Sequence, residues 1–88
     1  MRFKIEVTQR DIKNGIVAKC DQCPIARAVN RATKTRKTTV GKCTVTVRLN
    51  GRYYCMRLPD RAQDFIRDFD AHLQVKPFTF SLNLRPSA

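Results

Sequence analysis

Apolar and polar residues alternate through Phe3, Ile5 and Val7, with Arg2, Lys4 and Glu6 between them, the period of a half-buried strand. Thr8-Gln9-Arg10-Asp11 then has the spacing of a capping box, with Asp in place of Glu or Gln, and should open a helix carrying Ile12, Ile16 and Val17. Gly15 weakens that helix, and Pro24 is suited only to a first helical position, so a break is expected across Cys20–Cys23. A second helix should run from Pro24 to about Ala32. Its inner stripe is Ile25, Ala28, Val29 and Ala32, leaving Arg27, Asn30, Arg31 and Lys34 pointing outward.

Residues Thr33–Thr39 lack apolar side chains and read as an exposed basic loop. Alternation resumes from about Val40 to Leu49, with Cys43, Val45, Val47 and Leu49 on one face. Asn50-Gly51 is the preferred two-residue hairpin turn, and Arg52–Leu58 forms the returning strand. Leu49 should then oppose Arg52, Val47 Tyr54 and Val45 Met56, while Arg48 opposes Tyr53 and Thr44 opposes Arg57 on the other face. Pro59-Asp60 opens a helix with Ala62, Phe65, Ile66, Phe69 and Leu73 at helical spacing. A last strand places Phe78, Phe80, Leu82 and Leu84 inward, and residues 85–88 form a frayed tail.

The order β-α-β-β-α-β over residues 1–84 predicts one α+β domain. Two interlocked right-handed crossovers would make it a ferredoxin-like sandwich with a broken first helix and one open sheet face. At 88 residues with 42% apolar content, one core suffices without staples. Nothing resembles a signal peptide or membrane span, so a reducing cytoplasm is expected, with no membrane partner.

Charge changes the picture. Eighteen Lys and Arg against seven Asp and Glu give a formal charge of +11, more than solubility requires. Nine of the cations fall between Gln22 and Pro59, where there is no acid. The open sheet face should show Arg2, Lys4, Arg48, Tyr53 and Arg57 together with Thr44 and Thr46. One aromatic among cations suits a stacked base with phosphates around it. The candidate contact set is Arg27, Asn30, Arg31, Lys34, Arg36, Lys37, Lys42, Arg48, Tyr53 and Arg57. The expected partner is nucleic acid, DNA or RNA; the alternative is an acidic host protein that the chain inhibits or modulates. About five phosphate contacts would lower affinity on the order of 10²–10³ between 50 and 200 mM salt.

Catalytic signals are weak. His72 is the only histidine, the serines are Ser81 and Ser87, and the three glycines are isolated, so a non-enzymatic protein is expected. Cys43 and Cys55 should face opposite sides of the hairpin, which excludes a site built on all four thiolates. For Cys20-x-x-Cys23 the readings are half a zinc site, a redox pair, or packing in a cramped corner. With no second pair, packing is favoured, and no metal or cofactor is expected.

Cys20-x-x-Cys23-Pro24-Ile25-Ala26, followed by Phe65-Ile66-x-x-Phe69-Asp70 and Pro77-Phe78-x-Phe80, resembles a family of small proteins encoded in bacteriophage and actinobacterial genomes. The match covers the CxxC–helix segment and the last third. It implies a bacterial cytoplasm, or the host cytoplasm for a phage protein, and supplies no activity. It also implies that Cys20 and Cys23 belong to a shared frame, while Cys43 and Cys55 are peculiar to this chain.

Overall fold

The computed structural model describes residues 2–84; the tail expected over 85–88 lies outside them. Strand β1 (Arg2–Val7) leads into α1 (Gln9–Asn14), and α2 (Pro24–Thr33) follows after a nine-residue break from Gly15 to Cys23. Then come β2 (Thr38–Val40), β3 (Thr44–Leu49), β4 (Arg52–Arg57), α3 (Asp60–Asp70) and β5 (Phe78–Asn83). The strands make two antiparallel sheets, β1-β5 and β2-β3-β4, and no ladder joins β1 to β4 among the described residues. Arg2 and Lys4 therefore lie on a different ladder from Arg48.

Local chemistry accounts for the elements. The Thr8 hydroxyl accepts from the Asp11 N–H at 3.2 Å, and the Asp11 carboxylate accepts from the Thr8 N–H at 2.9 Å, completing the capping box. Gly15 ends α1 with its N–H on the Asp11 carbonyl at 2.8 Å. A Cβ there would stand 2.6 Å from Pro24 Cδ and 2.8 Å from that carbonyl oxygen, so glycine is what lets α1 approach the start of α2. Ile16, expected on the helix, lies beyond its end and is exposed.

Asn50 and Gly51 take φ of 54° and 78°, the left-handed pair a type I′ turn requires, and the β3–β4 register is the one that turn sets. The strand expected from Val40 to Leu49 is instead two. Gly41 N–H donates to the Thr44 carbonyl at 2.8 Å, reversing the chain so that β2 pairs back on β3 with Val40 opposite Val45. Alternation survives the reversal because Thr38, Val40, Val45 and Val47 all remain buried.

One core joins Ile5 and Val7 of β1, Ile25 and Val29 of α2, Val45 and Val47 of β3, and Phe65 and Ile66 of α3. Phe65, Phe78 and Phe80 form a run of rings with centroids 5.0 and 5.5 Å apart. Leu73, expected on the inner stripe, is exposed, because α3 stops at Asp70 and His72 turns the chain with φ of 61°. No helix among the described residues is long and apolar enough to cross a membrane.

Candidate nucleic-acid interface

The ten candidate residues divide into groups with different fates. On α2, Arg31 donates to both carboxylate oxygens of Asp11, at 2.8 and 2.7 Å, and to the Glu6 carbonyl at 2.7 Å. Asp11 is fully buried, and the Arg27 Nε lies 3.7 Å from its Oδ1, itself buried and without a hydrogen bond. Burial would raise the Asp11 carboxyl, but the Arg31 hydrogen bonds and the Thr8 N–H outweigh it and hold the group below its ordinary value. The same hydrogen bonds push Arg31 upward.

Arg31 is exposed and Arg27 half-exposed, on the side of α2 the periodicity gave them, yet both reach back to Asp11. Their charge is committed to a buried carboxylate that ties β1, α1 and α2 together. Asn30 is half-buried, with a buried Oδ1 that has no hydrogen-bond partner among the described residues, and its backbone carbonyl accepts the Thr35 N–H at 3.1 Å. The capping box disclosed the acid, but nothing local disclosed a partner twenty residues away.

The sheet half is different. Arg48 N–H donates to the Lys37 carbonyl at 3.1 Å, extending the β2–β3 ladder by one pair. Arg48 also pairs with Tyr53 in the β3–β4 register, and its guanidinium stands 5.5 Å from the Tyr53 ring centroid. Lys37, just before β2, thus lies in a row with Arg48 of β3 and Tyr53 of β4, all exposed. Arg57 lies on the same face as Tyr53, four residues along β4 and about 13 Å away. Between them is the row of short side chains Thr39, Thr46 and Cys55, and Thr44 stands opposite Arg57.

The loop carrying Arg36 and Lys37 is fixed to this row. The Thr35 hydroxyl donates to the Arg48 carbonyl at 2.9 Å and accepts from the Lys37 N–H at 3.3 Å. Lys34, exposed, caps α2 with φ of 58° and brings a further cation to the entrance of that loop. Among the described residues, none of Lys34, Arg36, Lys37, Arg48 and Arg57 makes an ion pair. Lys42 stands apart, in the β2–β3 connection, where it lines a surface cavity together with Asp64 and Asp70 of α3.

The cysteines do other work. Cys23 is buried at the start of α2, where its Sγ accepts the Ala26 N–H at 3.4 Å. Burial pushes its thiol up, opposite to what a reactive thiolate needs. The Cys20 carbonyl accepts the Val40 N–H at 2.7 Å, so this segment straps the loop before α2 to the edge of β2. Cys55 is exposed on the outer face, as its register requires, whereas Cys43, expected inward, is exposed in the connection before β3. Among the described residues no three His, Cys, Asp or Glu side chains gather to hold a metal.

Comparison with protein-family models, with curated proteins and with solved structures returns no match.

Proposed function

We propose that this is a small non-enzymatic nucleic-acid-binding protein whose contact surface is the outer face of the β2-β3-β4 sheet and the loop leading into it. The observation carrying this reading is the exposed row of Lys37, Arg48 and Tyr53, with Arg57 beyond it, on a sheet that has no carboxylate and, among the described residues, makes no ion pair. Cations left without internal partners form an electrostatic footprint for a polyanion, and an exposed aromatic among them favours bases over a purely acidic protein. Lys34 and Arg36 extend the footprint, while Arg27 and Arg31 leave it.

The fold part of the proposal is a ferredoxin-like plan. The β1–β5 and β3–β4 ladders are two of the antiparallel pairings that plan contains, and the element order supports it. A bacterial or bacteriophage setting rests on the resemblance of the Cys20–Ala26 and Phe65–Phe80 motifs.

The test is a salt titration against random single- and double-stranded DNA and RNA. Four or five phosphate contacts predict a loss of affinity on the order of 10² between 50 and 200 mM salt. Absence of binding to every polymer below about 10 µM at low salt would reject the reading and leave the acidic host protein.

A further inference from the structure

We infer that the ligand of this surface is a single strand, with one unpaired base laid on Tyr53, and not a duplex read by a helix. The inference rests on the nucleic-acid reading above and narrows it.

The helices are unsuited to a groove. Of the ten residues of α2 only Arg31 is exposed, and its guanidinium is held by Asp11. A helix needs a free face of several side chains to reach base edges in a major groove. The outer face of α3 bears Asp60, Asp64 and Asp70, which would meet phosphates with like charge, and Arg67 there is shared between Asp64 and Asp68. The basic helix that remains, α1, has six residues and is about 9 Å long, too short to follow a groove.

The sheet suits unstacked bases. Tyr53 is 58% exposed even with Arg48 against its ring. It rises beside a floor of short side chains, Thr44, Thr46 and Cys55, so a flat group can lie down next to the ring. Lys37 and Arg48 lie on one side of that floor and Arg57 on another, placed for phosphates flanking the base. A duplex keeps its bases stacked on one another and offers Tyr53 nothing but backbone, so only a single strand gains the aromatic contribution.

Fluorescence anisotropy with a labelled pyrimidine 12-mer, and with a hairpin duplex of equal charge, tests this at 50 mM salt. The single strand is expected to bind at least tenfold tighter. Tyr53→Ala should weaken it about 5- to 100-fold while changing duplex binding less than twofold, and Tyr53→Phe should retain the single-strand affinity. Upfield shifts of the Tyr53 ring protons on adding the 12-mer give a readout independent of affinity. Equal binding of both polymers, or a Tyr53→Ala loss common to both, overturns the single-strand assignment and leaves the broader reading standing. No binding of either polymer overturns both.

Discussion

Arg31 and Arg48 carry the same guanidinium and come from the same acid-free stretch, yet the fold uses them in opposite ways. Arg31 closes on a carboxylate with no exposure to water and joins it to the β1 backbone through Glu6. Arg48 leans on Tyr53 and meets no carboxylate among the described residues. Composition cannot separate them. What separates them is whether tertiary structure brings an acid within reach, so a count of cations overstates the charge a protein can offer a partner. Here the difference divides a cation tied into the fold from one left at the surface.

The largest effect should come from Arg31→Ala. It leaves Asp11 buried with only Thr8 as hydrogen-bond partner. Breaking one side of a buried pair costs about 3–5 kcal/mol, and half-exposure of Arg31 reduces this to about 2–3 kcal/mol. Urea unfolding should show that loss, with oligonucleotide affinity of the folded protein unchanged. A fall in affinity without a fall in stability would erase the distinction between the two arginines.

Acid pH sharpens the same contrast. Because the folded pKa of Asp11 lies below its ordinary value, its contribution is fully present above the unfolded value near 3.8 and is lost as pH falls through the folded one. Arg31→Ala removes the hydrogen bonds and charge that do most to lower this carboxyl. Its pKa should therefore rise relative to the parent's, and acidification should cost the variant less stability than it costs the parent. Urea midpoints from pH 7 to pH 3 for both proteins check the sign, and parallel curves would show that Arg31 does not control this carboxylate.

Thr35→Val removes the hydroxyl bridging Lys37 and Arg48 and should cost about 1 kcal/mol. It should also loosen the loop, seen as faster amide exchange at Lys37. Smallest in stability are Arg48→Ala and Arg57→Ala, each expected to change unfolding by less than about 1 kcal/mol. Each should instead lower the salt-dependence slope by about 0.7 for a single strand. A destabilisation matching that of Arg31→Ala would show that these cations also serve the fold.

Much of the fold was legible in the chain. The hairpin register from Thr44–Arg57 to Leu49–Arg52 follows from two residues, since Asn50-Gly51 sets the turn and the pleat sets the faces. The capping box at Thr8 and the start of α2 at Pro24 were equally local. Long-range choices were not. The Asp11–Arg31 pair joins residues twenty apart on different helices, and periodicity carries no information on which cation an acid meets. Division into two sheets is likewise a matter of strand-to-strand pairing, which alternation within each strand does not specify. At the site, the faces of Arg48, Tyr53 and Arg57 were legible because sheet geometry is regular, whereas for Arg27 and Arg31 helix periodicity gave the side each takes and not the carboxylate each meets.

The bond from the Thr35 hydroxyl to the Arg48 carbonyl has a kinetic consequence. Arg36 and Lys37 ride on a segment held to the sheet before any ligand arrives, so its backbone freedom is surrendered during folding and not at encounter. Association should then resemble docking onto a rigid plate, with one exponential whose rate rises linearly with ligand concentration and no slower rearrangement behind it.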